Sequence, residues 1–282
     1  MSRIFMRFPG GRPKAMTFSY DDGVTQDRRL IAIFNRNGLK GTFNLNSGML
    51  GRTYNELQTI VSEEEIKELY RGHEVAVHAL THDFLEKLPA DRALYEIFTD
   101  RCRLENVTGG IVRGMAHPWG TYNNTVIEAA KAAGINYART ITATGDFRLP
   151  EDWLQLTATC HHGDPHLFEL LEKFSADSPD KAPYNRDPWL FYVWGHSYEF
   201  DAAQDWERME TFAEKAAGMD DVWYATNGEI YDYITAYRTQ LSYSAAGDRV
   251  RNLSAADIWI ERDRKLICIP AGATVDLDAD KR

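Results

Sequence analysis

The chain has 282 residues, 44% of them hydrophobic and 26% charged, with a formal net charge of −10. This length suits one large α/β domain or two smaller ones, and the acidic balance argues against nucleic acid or an anionic membrane surface as the main partner. No stretch approaches 18 consecutive apolar residues, and the first residues lack the apolar length of a signal peptide. No membrane partner and a cytoplasmic location are therefore expected. Cys102, Cys160 and Cys268 are far apart and form no CxxC pattern, which points away from a disulfide framework or a thiolate metal site.

In chain order, "AMTFSY" (15–20) reads as a short apolar strand that runs into Asp21-Asp22-Gly23. "QDRRLIAIFNRNG" (26–38) carries apolar residues at helical spacing and stops at a glycine. "KGTFNL" (40–45) is the next strand. Ser62 and Glu65 stand at capping-box spacing before a helix that ends by Gly72. "HEVAVHA" (73–79) is strand-like, 90–106 helical, "GIVRGMAHP" (110–118) a strand, and "NNTVIEAAKAAG" (123–134) a helix. "INYARTI" (135–141) and "LQLTATCH" (154–161) are further strands. "PWLFYVWGH" (188–196) is a strongly apolar strand, followed by a helix over 202–218. "DVWYAT" and "GEIYDYITAYRTQ" repeat the order strand then helix.

About seven strands alternating with helices imply parallel strands joined by crossovers, and an open doubly wound sheet or a closed barrel both fit. After about residue 241 the pattern changes to two β-rich runs around the charged turn "RDRK". Residues 241–282 are expected to form a small β-rich extension, pairing with the main sheet, beside a larger unit over 1–240.

Polar residues gather at the C-terminal ends of the expected strands, the rim where parallel α/β folds bind ligands. They are Asp21-Asp22-Gly23, His78 and His82 in "HALTH", "AHPWG" (116–120), "TCHHGD" around His161 and His162, and "WGHSYEF" with His196. Imidazoles four apart can face one metal ion. Ala79 stands where a zincin protease would have its glutamate, which argues against that class. Taken alone, the histidine pair also reads as two hydrogen-bonded side chains, and Asp-Asp-Gly as a turn.

In combination, S-Y-D-D-G, then H-x-x-x-H, then P-W-G, then a late strand ending in G-H resemble the polysaccharide deacetylase family, also called the NodB homology domain or carbohydrate esterase family 4. The resemblance covers roughly residues 14–235. It implies a distorted (β/α)7 barrel of the NodB type over 1–240, with the small C-terminal β extension over 241–282. It also implies a hydrolase that uses a divalent metal to remove acetyl groups from N- or O-acetylated sugars. Carried onto this chain, Asp22, His78 and His82 would be the metal ligands, Asp21 the base and His196 the acid. The backbone N–H near Trp119 would bind the oxyanion. Zinc is the metal expected first, with cobalt, nickel or iron as alternatives. Gly23 and Gly120 would allow tight turns beside the site. The implied partner is an acetylated sugar or oligosaccharide; oligomeric state is left open.

The sequence departs from the family pattern in two places. The third motif usually opens with an arginine, and here that position is Ala116. Arg113 and Arg139 are the substitutes at hand, and Arg139, at a strand end, is the one expected to hold Asp21. The fourth motif has no clean match, so Asp146 and Asp152 stay equal candidates for the partner of His196. His161 and His162 are adjacent, and on a strand they would point to opposite faces, with one lining the pocket. Glu199 is a contact to the substrate, a support behind a residue of the site, or a loop acid, and Trp119, Trp194 and Tyr198 are either sugar-stacking or packing residues. Two alternative functions remain: hydrolysis of another non-peptide C–N bond, such as a cyclic amide or imide, and carbohydrate binding without catalysis.

Overall fold

The computed structural model describes residues 3–278. The first two positions of the larger expected unit and the last four of the expected extension lie outside the described residues. The elements run β1 (Ile4–Arg7), β2 (Lys14–Asp21), α1 (Asp27–Arg36), β3 (Gly41–Leu45), α2 (Glu63–Leu69), β4 (Glu74–Val77) and α3 (Ala90–Thr108). Then follow β5 (Gly114–Ala116), α4 (Asn124–Ala132), β6 (Tyr137–Ala143), β7 (Leu156–Ala158), β8 (Cys160–His161), α5 (Leu167–Ala176) and β9 (Trp189–Gly195). The chain closes with α6 (Tyr198–Ala203), α7 (Trp206–Ala216), β10 (Val222–Tyr224), α8 (Asn227–Thr239), β11 (Leu241–Tyr243), β12 (Arg249–Asn252), β13 (Ile258–Arg262), β14 (Lys265–Ile269) and β15 (Thr274–Asp276).

The main sheet is parallel and runs β7-β6-β5-β4-β3-β2-β9-β8. Its two ends, β7 and β8, are neighbours in sequence. The Ala158 carbonyl accepts from Thr144 after β6, while the Thr159 N–H donates to Tyr192 on β9. The strand changes partner between these two residues, and that change closes the sheet into a barrel. The continuous strand expected at 154–161 is therefore two short pieces, after a 3₁₀ turn at 153–155. β10 pairs with the start of β2 over Lys14–Met16, on the edge that β3 takes over from Phe18, which makes the barrel irregular. The outcome is the distorted α/β barrel of the expected type.

β2 shows why the chain folds this way. Its eight residues are all buried, and they alternate in character. Met16, Phe18 and Tyr20 belong to the core under the helices, with Phe18 4.6 Å from Phe34 of α1. Thr17, Ser19 and Asp21 lie on the other face, inside the barrel. Polar contacts fill that interior. Thr17 bonds Asn227, Asn227 bonds Tyr192, and Asn44 bonds Ser19. Thr42 and Tyr137 both donate to Glu74. Buried polar groups are tolerated because they satisfy one another.

The helix ends follow local chemistry. Ser62 and Glu65 form the expected capping box of α2, and Thr226 and Glu229 form a second one at α8. The helix expected over 202–218 is instead two. Gln204 stands at φ 52 between α6 and α7, and the Asp205 side chain accepts from Arg208 to begin α7. Among the described residues of the C-terminal segment the expected pairing with the main sheet is not made. β13 pairs with β1 on one side and β14 on the other, and β11, β12 and β15 form a separate antiparallel sheet. An N-terminal strand supplies the free edge that the main sheet, closed on itself, does not offer.

Candidate active site

β2 ends on Asp21, and Asp22 follows it at φ 75, ahead of Gly23 at φ 64. Ala79 (φ 62), His82 (φ 59) and Trp119 (φ 60) also take left-handed backbone on the same rim. Such positions cost about 1–3 kcal/mol each and persist only where the surroundings hold them. Here the loops after β2, β4 and β5 are bent so that their side chains meet. His78 Nε2 and His82 Nε2 lie 3.6 and 3.5 Å from Asp22 Oδ1. The donor atoms of all three residues fall within 4.8 Å of one another.

His78 is held from several sides. Its Nδ1 lies 2.9 Å from the Ala116 carbonyl oxygen, and its N–H donates to Asp100 at 3.1 Å. Asn46 donates to the carbonyl oxygens of His78 and Ala79. Burial pushes the Asp100 carboxyl up to about 7, against hydrogen bonds from Ser47 and His78 that lower it. With Nδ1 turned to the Ala116 carbonyl, Nε2 is the His78 atom that faces Asp22 Oδ1, so two imidazole nitrogens and a carboxylate oxygen are aimed at one point. Burial, and then the neighbouring His78, lower His82 to about 4, so its ring is a neutral donor. The Asp-His-His set therefore fits a divalent cation.

Asp21 is buried beside this set. Arg139 on β6 donates to its Oδ2, and Asn44 to its Oδ1 at 2.8 Å. Burial alone would raise this carboxyl, but the Arg139 guanidinium, with His78 and His196 nearby, holds it well below the usual carboxylate range. Arg139 also donates to Ser19 at 3.2 Å, and its guanidinium lies 4.5 Å from the Trp194 ring centre. Arg113 points elsewhere, forming a paired contact with Asp232 at 2.9 and 2.7 Å. His196 Nε2 lies 3.9 Å from Asp21 Oδ2. Asp146 pairs with Arg148, and Asp152 caps the turn at Leu154, so neither meets His196.

These groups open into a pocket of about 560 Å³. Asp21, Asp22, His78, His82 and His196 line it, together with Trp119, Trp194 and Tyr198. Trp119 is half-exposed, stacks on Phe84 and donates its indole N–H to the His82 carbonyl oxygen. One wall was not foreseen from the sequence. The loop after β3 supplies Asn46, Met49, Tyr54, Gln58 and Ile60. Ser19 and Asn44, which bond Arg139 and Asp21, were also missed; the alternation of small polar with large apolar residues in "AMTFSY" and "KGTFNL" was their signal. His161 and His162 do not diverge as expected, and neither lines the pocket. β8 ends at His161, so strand alternation does not govern His162, and both Nε2 atoms reach Glu199, at 3.1 and 3.0 Å.

The family model for polysaccharide deacetylases matches residues 9–138, a span that takes in Asp21, Asp22, His78, His82 and Trp119. None of the curated proteins compared matches the chain. Among solved structures, a Mycobacterium smegmatis protein provisionally named as a polysaccharide deacetylase shares the fold. It is 18% identical with a TM-score of 0.60, over 84% of this chain and 96% of that one. The deacetylase PplD of Streptococcus pyogenes, in complex with acetate, is 20% identical with a TM-score of 0.45; the match covers 49% of this chain and 61% of PplD, less than two thirds of its length. A CE4-family pseudoenzyme of Bacillus anthracis is 17% identical with a TM-score of 0.45, over 81% of this chain and 68% of that one. Among the described residues no helix is long and apolar enough to cross a membrane. Over residues 9–138 the chain is thus similar to the polysaccharide deacetylases, on a fold that it shares with the Mycobacterium smegmatis protein.

Proposed function

We propose that this chain is a metal-dependent hydrolase that removes acetyl groups from N- or O-acetylated sugars. One observation carries the reading: the Asp22, His78 and His82 donor atoms converge within 4.8 Å, while Asp21 and His196 face each other at 3.9 Å in the same pocket. Asp22, His78 and His82 would hold the cation, with zinc the best fit to one carboxylate oxygen and two imidazole nitrogens. A bound divalent cation would supply Lewis acidity toward the acetyl carbonyl and lower the pKa of water toward about 7. Asp21, kept ionised by Arg139, takes the proton of the attacking water at a carboxylate oxygen. The Trp119 backbone N–H binds the carbonyl oxygen as charge develops on it. His196 donates a proton from Nε2 to the departing amine or alcohol. Its surroundings keep that proton in place. Burial works against the charged ring, but the hydrogen bond to Glu199 and the charges of Asp21 and Asp22 push it up to about 9. Trp119, Trp194 and Tyr198 offer ring faces to a sugar.

The test measures acetate released from chitooligosaccharides, acetylxylan and peptidoglycan fragments by zinc-loaded protein, alongside its metal content. Asp22→Ala and His78→Ala should each lose the stoichiometric metal and the activity. Asp21→Asn should keep the metal and lose about 10²-fold or more in kcat. Full metal retention in both ligand variants would sink the triad. Hydrolysis of a cyclic imide without acetate release from any sugar would reassign the substrate, and glycan binding without turnover at saturating metal would make the barrel a binder.

A further inference from the structure

Glu199 lies three residues past His196, in the first turn of α6. Its Oε1 is 3.2 Å from His196 Nδ1. Its Oε2 is 3.1 Å from His161 Nε2 and 3.0 Å from His162 Nε2, and the His196 backbone N–H donates to it at 3.3 Å. One carboxylate thus gathers three imidazoles from two rim loops.

The remaining ring nitrogens fix which atoms carry protons. The Gly163 N–H donates to His161 Nδ1 at 3.0 Å, so that nitrogen is a lone-pair atom and Nε2–H is the donor to Glu199. His162 Nδ1 is buried without a partner. Burial lowers this ring to about 4, against its hydrogen bond to Glu199, so it too is neutral and donates through Nε2–H. His162 is wedged between Tyr20 and Phe200, with ring centres 5.6 and 4.2 Å away. His162 thus grips the carboxylate from a packed, buried position, and His161 from a partly exposed one. Burial would raise it, but hydrogen bonds from the three histidines hold it well below the usual carboxylate range.

The geometry points to Glu199 as the positioning residue of His196, clamped in turn by His161 and His162. This rests on the acid role given to His196 above. Glu199 accepts Nδ1–H and so leaves Nε2 as the atom that faces Asp21 and the pocket. It also places a negative charge where an imidazolium gains from one, the arrangement by which a carboxylate selects the tautomer of a catalytic histidine. Besides Glu199, the groups facing His196 are Asp21, which ends β2, and Asp22 after it, His82 after β4, His162 after β8, the Trp194 ring on β9 and the Tyr198 ring on α6. The pair of histidines at 161–162, which has no place in the pocket, gains a purpose.

The test follows ¹⁵N-histidine NMR titrations of the zinc-loaded full chain, with His196 assigned from His196→Gln. Neutral His196 should carry its proton on Nδ1. Glu199→Gln should lower its proton affinity at least tenfold and mix the two tautomers. In kinetics the same variant should lose about 10²-fold in kcat with KM within twofold. Loss of the protonated acid should move the alkaline limb of the pH profile to lower pH by one unit or more. His161→Gln, which keeps a donor, should retain most of the activity, whereas His161→Ala should behave as a milder Glu199→Gln. If Glu199→Gln folds poorly, Glu199→Asp is titrated in its place, and its shorter reach should give the same downward shift. An unchanged His196 titration would overturn the proposal. So would a second zinc equivalent lost with Glu199, because the cluster would then be a cation site. The NMR readout does not depend on turnover, so a wild type that releases no acetate would sink the deacetylase reading alone.

Discussion

Arg139 is the cation that pairs with the buried carboxylate of Asp21 at the end of β2. It reaches Asp21 from β6, across the barrel interior, while Ala116, where the resembling motif would carry an arginine, holds His78 through its carbonyl. Removing one member of a buried ion pair leaves a charge without compensation, at a cost of about 3–5 kcal/mol. Arg139→Met should therefore lower the stability measured by urea unfolding by about 3 kcal/mol at pH 7. It should keep the metal, since the three donors are untouched. The sign of the pH dependence follows from Asp21. Its carboxyl is depressed in the fold, so it contributes stability above the ordinary carboxylate pKa that is lost as pH falls below it. The gap between wild type and variant should accordingly narrow below about pH 4. A gap that stays constant down to about pH 3 would mean that Arg139 supports the fold without acting through Asp21.

The elements were legible where short-range pattern decides them. The helical spacing of Leu30, Ile31, Ile33 and Phe34 names the buried face of α1, and Ser62 with Glu65 marks the start of α2. The candidate metal and acid–base residues were legible because each ends a strand or opens the loop after it. What the sequence did not carry was long-range: the change of partner at Ala158-Thr159, the wall built by the loop after β3, and the convergence of His161 and His162 on Glu199. Asp27 shows the same limit. It opens α1, but its burial comes from elsewhere: Tyr70 after α2 donates to it at 2.8 Å and Ser197 before α6 at 2.6 Å. Burial raises this carboxyl to about 7, against the two hydrogen bonds, with Asp22 and Asp21 adding to the rise. A raised acid is most stabilising when protonated in both states, and that contribution is lost as pH rises from the unfolded value of 3.8 through about 7. Asp27→Asn cannot ionise, so its Tm should gain on wild type between about pH 4 and 7 and run parallel above about pH 7.5. A constant difference across that range would show that Asp27 is ionised in the fold.

At the scale of the whole molecule, β1 and β13 are tied to each other and to the barrel. β1 leads through the buried Phe8 into β2, and β13 lies against β1. Tyr233 of α8 joins the three parts: its hydroxyl donates to the Arg7 carbonyl oxygen at 2.7 Å and accepts from the Trp259 N–H at 2.9 Å. Beneath it, Arg7 has no exposed surface and donates to Glu261 and Asp180, while Arg186 donates to Glu261 at 2.6 Å. No sequence pattern links residues 254 positions apart, so a composition shift near residue 241 suggests an appendage where the contacts make a shared core. Glu261 is the pivot of that network, because Asp180, the other acid that meets Arg7, is 42% exposed. Glu261→Gln keeps the shape but leaves two buried guanidinium groups facing a neutral amide. It should cost about 3 kcal/mol, and because β13 shares its core with β1 and α8, the loss should appear as one transition shifted to lower temperature. Scanning calorimetry with a single peak, lowered as a whole, is the expected outcome. A variant that unfolds in two steps, with the barrel's transition unmoved, would make residues 241–282 an independent unit.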